Sequence, residues 1–372
     1  MKQIHPLRLL AKTFIIFVLA NLIFALWNPP IGRLSLYNLV FPGRTRFPFA
    51  TGPRTVTIDN LDAMFASHVL SAPKQQDEFR VIILGDSAMW GDGLYDNETI
   101  SAQLNKLQFD CPGKELRFYN LGFPHMSIVK DILILNKAMN YQPDLIIWAF
   151  TLSTVQPKEP NAFLLENLDQ ILALQEEYGL KETYASIKRE KTTLLDKTFI
   201  GQRSELARLL LLQSLGTIWS ATGSDASLNS NVTIESNDDT EDESVSNDVK
   251  DSIKFLGMDK PGDISPFLML DYFGAGDSLS GDVPILFVNA PMFIATGKNS
   301  DLRYNASYPR WAYDQYRQII SEHATANRWS YLDLWNVIPP TDFIGSQFHL
   351  SAEGQQLLAG YLKPAIRQSA CR

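Results

Sequence analysis

The sequence predicts an α/β domain built on a parallel sheet of five strands and preceded by one membrane-spanning helix. Three observations support this class: short apolar runs typical of buried strands, helical patterns between these runs, and a long uncharged segment near the N-terminus. Strands that alternate with helices are typical of a parallel sheet covered by helices on both faces, which is a three-layer sandwich. The predicted strands are residues 80–84, 116–119, 145–150, 283–289 and 329–334.

The segment near the N-terminus has the length and composition of a membrane anchor. Leu7 to Trp27 contains about the 20 residues that a spanning helix needs, provided that Arg8 and Lys12 extend their charged ends toward the head groups. Because the basic residues come first, we expect a cytoplasmic N-terminal flank and an extracytoplasmic location for the residues after Trp27. The segment ends in Ala25-Leu26-Trp27, where a signal-peptidase cleavage site would need a small residue in place of Trp27. An uncleaved anchor in the lipid bilayer is therefore favoured over a cleaved signal peptide or a buried core helix.

The remaining elements follow from the spacing of apolar residues between the strands. This spacing predicts helices at residues 61–70, 97–107, 128–139, 163–178, 205–215 and 308–326, and a last helix after His349.

We divide the chain into residues 1–27, the cytoplasmic flank and anchor, residues 28–78, a juxtamembrane arm, and residues 79–372, the α/β domain. Residues 28–53 are rich in Pro, Gly and Arg, which predicts a solvated linker. Contacts of Arg33, Arg44 and Arg46 with lipid head groups are the alternative.

Between about residues 220 and 250 the composition changes to Ser, Asn, Asp and Glu. Such a segment cannot bury enough apolar area to offset the entropy lost on ordering, so we predict a disordered insertion in the α/β domain. A cation-binding acidic loop is the alternative, although its residues lack the spacing and the glycine of a calcium loop.

The composition argues against some partners and leaves others open. The 372 residues carry a net charge of −8, which argues against nucleic acid as a partner because phosphate binding needs a basic surface. Cys111 and Cys371 would lie in an oxidising space, where they either pair or remain free thiols. The sequence contains no clustered set of His and Cys ligands, so it predicts neither a metal site nor a cofactor.

Residues that could carry chemistry follow two of the strands and precede the last helix. Ser87 ends the run from Val81 through Gly-Asp-Ser, so it stands at the carboxyl end of a buried strand, where open α/β sheets bind ligands. Gly122 follows the second strand, and His349 precedes the C-terminal helix, where an imidazole can act as a base. His125, three residues after Gly122, either lines the same cleft or packs locally. Taken alone, Gly-Asp-Ser is also ordinary turn chemistry.

In their order and strand context these residues resemble the SGNH (GDSL-type) hydrolase family, over roughly Phe79 to Leu362. The resemblance implies a flavodoxin-like three-layer fold, with Ser87 as the nucleophile and His349 as the base that takes its proton. It also implies an oxyanion hole formed by the backbone amides of Ser87 and Gly122 and by an asparagine side chain after the third strand.

The chain departs from this family at two places. Thr151 and Ser153 follow the third strand instead of the asparagine, and their hydroxyls are either oxyanion donors or turn residues. The family places an aspartate three residues before the histidine, where this chain has Ser346. Asp342, seven residues before His349, is the candidate carboxylate that would orient the imidazole, and capping a turn is its alternative role.

Together these features predict a membrane-anchored, extracytoplasmic serine esterase that acts on O-acylated envelope or extracellular glycans or lipids. The substrate class follows from location only. One alternative is an O-acyltransferase that uses the same serine. A second is a non-catalytic, membrane-tethered protein that binds glycans or assists assembly, since fold alone does not define function.

Overall fold

The computed structural model describes residues 5–49, 56–181, 184, 187, 193–223 and 245–371. It confirms the predicted α/β class, with five parallel strands in the order β2-β1-β3-β4-β5. The strands are β1 (Glu78–Leu84), β2 (Glu115–Asn120), β3 (Leu145–Phe150), β4 (Ile285–Asn289) and β5 (Ser330–Asp333). Most of the predicted acidic insertion, residues 224–244, lies outside the described residues.

Helices cover both faces of the sheet, as the three-layer prediction requires. The helices are α1 (Pro6–Trp27), α2 (Leu61–Ser67), α3 (Ser87–Trp90), α4 (Ile100–Lys106), α5 (Ile128–Ala138), α6 (Ala162–Glu166), α7 (Leu168–Glu177), α8 (Arg203–Gln213), α9 (Leu215–Thr222), α10 (Asp271–Ser280), α11 (Arg310–Asn327) and α12 (Ala352–Ala370). Alternate residues of β1 enter two separate cores. Val81 and Ile83 pack with α4 and α12, whereas Ile82 and Leu84 pack with α5, α7, α10 and α11.

The strand order reverses at β1, and this reversal positions the site. The chain passes from β1 to β2 on one side and then returns to β3 on the other side of β1. The loops after β1 and β3 therefore diverge and leave a crevice at the carboxyl edge of the sheet, which is where doubly wound folds bind ligands.

The juxtamembrane arm differs from the predicted solvated linker. Phe47, inside the predicted linker of residues 28–53, is fully buried in the main core, where its ring packs against that of Phe65 on α2. Arg46 is also buried, and its guanidinium donates to the carbonyls of Gly91 (2.9 Å) and Leu94 (3.2 Å). The aromatic side chains of the arm explain the difference, because their burial against the domain outweighs the tendency of the Pro- and Gly-rich sequence to stay solvated.

Helix α1 has the dimensions of a membrane-spanning helix. Its 22 residues extend about 33 Å at 1.5 Å per residue, against a hydrocarbon thickness of about 30 Å. It is the one helix of the described residues that is long and apolar enough to cross a bilayer, a property that signal sequences share. Its buried residues are Asn21, Phe24 and Ala25.

The two cysteines form a disulfide. Cys111 precedes β2 and Cys371 follows α12, so the bond joins segments that are 260 residues apart. The sequence left open whether the two cysteines pair or remain free thiols, and the structure contains the pair.

Helix α10 has no counterpart among the predicted helices, because two glycines interrupt its apolar pattern. Gly276 faces the buried ring of Trp148 on β3, and a Cβ atom at this position would overlap the ring. At Gly274, two residues earlier, a Cβ atom would have no neighbour within 4 Å. One glycine is therefore required by packing and the other is not.

We expect alanine substitutions at these two glycines to have opposite effects on stability. Gly276→Ala should lower the free energy of unfolding by about 1–3 kcal/mol, because it overpacks the contact with Trp148. Gly274→Ala should raise it by up to about 1 kcal/mol, because alanine loses less backbone entropy in a helix. Chemical denaturation of both variants measures the difference. Equal effects would contradict the packing role of Gly276.

Candidate active site

Ser87 occupies the first position of the short helix α3, immediately beyond β1. Asp86 caps this helix, since its carboxylate accepts from the amide of Ala88 at 2.9 Å. Gly85 has no room for a side chain, because a Cβ would lie 2.5 Å from the Cγ of Met89 and 3.2 Å from the carbonyl oxygen of Ala149. The tight turn and the cap together place the hydroxyl of Ser87 at the carboxyl edge of the sheet.

His349 meets Ser87 across the fold. The Nε2 atom of His349 lies 2.9 Å from the Oγ of Ser87, within the range for a hydrogen bond between a nucleophile and its base. Two backbone contacts hold the loop before α12. Phe343 and Leu350 form an antiparallel β-bridge, and the amide of Ile344 donates to the carbonyl of His349 at 2.9 Å. The imidazole is therefore positioned by backbone structure on both sides.

Gln355 joins the helix that follows the base to the helix that begins with the nucleophile. It is fully buried in the first turn of α12, and its side-chain amide donates to the carbonyl of Ala88 at 3.1 Å. Because Ala88 follows Ser87 directly, this bond fixes α12 against α3. Ser351 caps α12 by accepting from the amide of Gly354 at 3.1 Å.

The carboxylate nearest the second nitrogen of His349 belongs to Asp92. Its Oδ2 lies 3.6 Å from the Nδ1 of His349, an ion-pair distance, and its Oδ1 accepts from the amide of Gly93 at 3.1 Å. Gly91 and Gly93, on either side of Asp92, both have positive φ values, 88° and 75°. The change of chain direction at these glycines brings Asp92 close to the imidazole.

Asp342, the carboxylate that the sequence suggested, is not brought to His349. In the antiparallel bridge between Phe343 and Leu350, residue 342 stands opposite Ser351, whose amide donates to the carbonyl of Asp342 at 2.8 Å. This register places Ile344, and not Asp342, opposite His349. Within the part of the chain that the structure describes, the carboxylate of Asp342 makes no ion pair with the imidazole.

Burial keeps the imidazole of His349 neutral near pH 7. Desolvation lowers the pKa of His349 below its usual value of 6.5, and the negative charges of Asp92 and Asp86 oppose this shift. A neutral imidazole can accept the proton of Ser87, and the nearby carboxylates then stabilise the imidazolium that forms.

The two predicted backbone donors for an oxyanion differ in their availability. The amide of Ser87 makes no hydrogen bond to any described residue. The amide of Gly122 donates to the side-chain oxygen of Asn120 at 3.0 Å. Asn120 also donates to the carbonyl of Met89 at 2.8 Å, so it clamps the turn after β2 onto α3. Of the two amides, that of Ser87 is the one left to donate to a substrate.

Thr151 and Ser153 follow β3 as predicted, but their hydroxyls have different partners. Thr151 is buried, and its hydroxyl lies 3.3 Å from that of Thr154 in a local turn. The hydroxyl of Ser153 accepts from the phenol of Tyr308 at 2.7 Å. A hydroxyl that accepts a hydrogen bond keeps its own proton, so the hydroxyl of Ser153 can still donate to another group. The hydroxyl of Thr151 takes part in the local turn.

A buried lysine lies beneath the loops that carry Ser87 and Gly122. The ammonium of Lys130 donates to the carbonyls of Gly85 (2.7 Å) and Phe123 (2.9 Å), one beyond β1 and one beyond β2. It also pairs with the carboxylate of Asp131 at 2.8 Å. Both side chains are almost completely buried.

His125 lies near these loops in an unusual backbone conformation. Its φ is 95°, a value that residues with a side chain rarely adopt, and its ring packs edge-on against Phe49 and Phe123. Burial and the charge of Lys130 lower the pKa of His125 to about 4, so the ring is neutral. These contacts agree with the local packing role that the sequence allowed.

Comparison with known proteins supplies structural neighbours at low similarity. No family model and no curated protein matches this chain. A carbohydrate acetylesterase family member from Sinorhizobium meliloti has a TM-score of 0.35 at 12% identity, covering 78% of this chain and 99% of its own. A putative arylesterase from Agrobacterium tumefaciens has a TM-score of 0.33 at 10% identity, with coverages of 78% and 99%. An aryl esterase from M. smegmatis has a TM-score of 0.34 at 10% identity, with coverages of 78% and 98%.

Because the identities and TM-scores are low, the chemistry assigned to this chain rests on the geometry of its own residues.

Sequence reasoning did not find three residues of the site: Asp92, Gln355 and Lys130. One signal for Asp92 was available, since the glycines at 91 and 93 flank it five residues after Ser87. A carboxylate between two glycines can adopt backbone conformations that bring it back over the preceding helix. Gln355 and Lys130 lie inside ordinary helical patterns, where nothing distinguishes them from solvent-facing residues.

We expect Asp92→Asn to lower kcat/KM strongly and Asp342→Asn to leave it almost unchanged. If His349 takes the proton of Ser87, the first substitution removes the charge that would stabilise the resulting imidazolium. The loss should be about 10²-fold, smaller than the roughly 10⁴-fold of a fully hydrogen-bonded triad, because Asp92 is 3.6 Å away and partly exposed. Ester turnover by both purified variants is the measurement. A silent Asp92→Asn beside an impaired Asp342→Asn would reverse the assignment.

The pH dependence of kcat/KM should follow the fraction of His349 that is neutral. Because the base acts only when unprotonated, kcat/KM should be constant at neutral pH and fall as the pH drops through the pKa of His349, which burial places below 6.5. Asp92→Asn removes a charge that raises this pKa, so the acid limb should move to lower pH. A limb above pH 6.5, or one that moves upward in the variant, would contradict this account.

Proposed function

We propose that this protein is a serine esterase that hydrolyses O-acyl esters through an acyl-enzyme on Ser87. One observation carries the proposal: the 2.9 Å contact between the Oγ of Ser87 and the Nε2 of His349, formed by residues 262 positions apart. A serine at the switch point of a doubly wound sheet, bonded to a neutral imidazole with a carboxylate behind it, has the arrangement needed for nucleophilic catalysis.

The proposed reaction has two stages. The hydroxyl of Ser87 attacks the ester carbonyl while the imidazole of His349 takes its proton, and the charge of Asp92 stabilises the resulting imidazolium. The amide of Ser87 donates to the oxyanion, and the imidazolium then protonates the departing alcohol. Water attacks the acyl-enzyme with the same imidazole as base, which releases the acid and restores Ser87.

We further propose that helix α1 anchors the enzyme and that the α/β domain is extracytoplasmic. The basic residues before the uncharged segment support this orientation. The disulfide supports an oxidising compartment, where such bonds persist. A domain held beside a membrane in such a compartment meets O-acylated glycans and lipids of the envelope or cell surface, and we propose these as its substrate class.

We expect Ser87→Ala to abolish both covalent labelling by a fluorophosphonate and turnover of p-nitrophenyl acetate. The substitution removes the nucleophile and little else, so the melting temperature should stay within about 2 °C of that of the unchanged protein. Ser280→Ala is a matched control. Ser280 is also buried, but it ends α10 just before β4, at the opposite edge of the sheet.

Mass spectrometry should locate the label on Ser87 in the unchanged protein and in the Ser280→Ala control. Label on another residue, or full turnover by Ser87→Ala, would reject the nucleophile assignment. Labelling without turnover would instead indicate that the acyl-enzyme transfers its acyl group to an acceptor other than water. Failure of the unchanged, folded protein to label would favour a binding function on this fold.

A further inference from the structure

Exposed apolar side chains are concentrated in two segments of the chain. Outside α1, seventeen large apolar residues of the described chain are exposed, and eleven of them lie within residues 34–40 and 194–218. These eleven are Leu34, Leu36, Leu39, Val40, Leu194, Leu195, Phe199, Ile200, Leu210, Leu215 and Ile218. Soluble surfaces rarely collect so many apolar side chains in one region unless the region contacts a membrane or another protein.

The two segments contact each other. The amide of Leu36 donates to the side chain of Gln213 at 2.7 Å, and the phenol of Tyr37 donates to the carbonyl of Leu212 at 3.2 Å. These bonds join residues 34–40 to the end of α8, and we call residues 34–40 together with residues 194–218 the collar.

The collar also packs on the last turns of α1. The ring of Phe199 stacks on that of Phe24 with 3.8 Å between the ring centroids. Phe24 is one of only three buried residues of α1, the others being Asn21 and Ala25, while the rest of the described helix is exposed. The domain thus covers α1 on one side near its C-terminal end and leaves the remainder of the helix surface free.

The position of these contacts along α1 sets the depth of the collar. Phe24 lies three residues and Asn21 six residues before Trp27, which corresponds to about 4.5 and 9 Å along the helix axis. Helices that lie in a membrane interface bury their apolar faces about 5–10 Å into the boundary between head groups and acyl chains. The contact between Phe199 and Phe24 lies within this range of depths, which matches an interfacial position of the collar.

Basic residues accompany the exposed apolar residues of the collar, as they do in helices that lie in a membrane interface. Arg203 and Arg208 are exposed on α8, and Arg33 is exposed next to Leu34. Arg33 and Arg208 also pair with Asp62 (3.0 Å) and Asp59 (3.4 Å) of the domain. The protein as a whole is acidic, with a net charge of −8. Basic side chains interspersed with exposed leucines are typical of surfaces that meet lipid head groups and acyl chains together.

We infer that the collar is inserted in the extracytoplasmic leaflet of the bilayer around the anchor, so that the domain rests on the membrane surface in a fixed orientation. This inference rests on the proposed anchoring of α1. The bilayer is the occupant that the contacts favour, because the collar is continuous with the exit of a spanning helix and lipid surrounds that helix on every side that the protein leaves uncovered.

The test uses the full chain in vesicles of phosphatidylcholine and phosphatidylglycerol, some of them brominated on the acyl chains. A bimane probe is attached to single cysteines introduced by Leu195→Cys, Leu210→Cys, Ile16→Cys and Leu357→Cys. Leu195 and Leu210 are collar residues, 63% and 68% exposed. Ile16 reports the middle of α1, and Leu357, an exposed leucine on α12, is the matched control. The native cysteines are joined in the disulfide and do not react.

We expect brominated lipid to quench the probes at 195 and 210 at least half as strongly as the probe at 16, and to leave the probe at 357 bright. Each variant should keep the melting temperature of the unchanged protein, which shows that it folds. If the probe at 16 is quenched while the probes at 195 and 210 stay as bright as the probe at 357, the inference about the collar is overturned and the proposed anchor stands. A collar shielded from both lipid and water would also overturn it, in favour of a second copy or a protein partner. Absence of quenching at 16 would reject the anchor and the collar together.

Discussion

The geometry of the site depends on one buried ammonium group. Lys130 binds a carbonyl beyond β1 and another beyond β2, so a single charge holds the two loops that carry Ser87 and Gly122. Asp131 balances this charge and also accepts from the indole of Trp148 at 3.0 Å, which connects the pair to β3. Burial raises the pKa of Asp131, and the neighbouring ammonium opposes the shift. Removing one member of such a pair costs about 3–5 kcal/mol, because the other charge remains buried without a partner.

The juxtamembrane arm provides a second constraint on this region. His68 is buried, and its Nε2 lies between the carbonyls of Thr45 (3.2 Å) and Asn120 (3.0 Å), while burial lowers its pKa to about 4. Arg46 binds the loop that contains Asp92, and it follows Val40 of the collar by only six positions. A chain of this length spans at most about 22 Å, so the collar and the candidate site are joined by a short connection.

The sequence predicted the sheet well because buried parallel strands are apolar throughout, as residues 145–150 illustrate. It predicted less of the site, because contacts between residues distant in sequence depend on turns and register. Asp342 looked closer to His349 along the chain than Asp92, yet the pairing of residues 343 and 350 places it opposite Ser351. Helix α10 was missed for a related reason, since the glycine that it needs against Trp148 is also a helix breaker in an isolated sequence.

The disulfide has a consequence for biosynthesis. Cys371 is synthesised 260 residues after Cys111, which at about 5–20 residues per second is a delay of about 13–50 s. During that time Cys111 has no partner in its own chain, which contains only these two cysteines, so a disulfide formed early would join it to another molecule. His349 is also synthesised late, 262 residues after Ser87. Ser87 therefore lacks its hydrogen-bond partner until the last helix docks, and the same docking step brings the two thiols together.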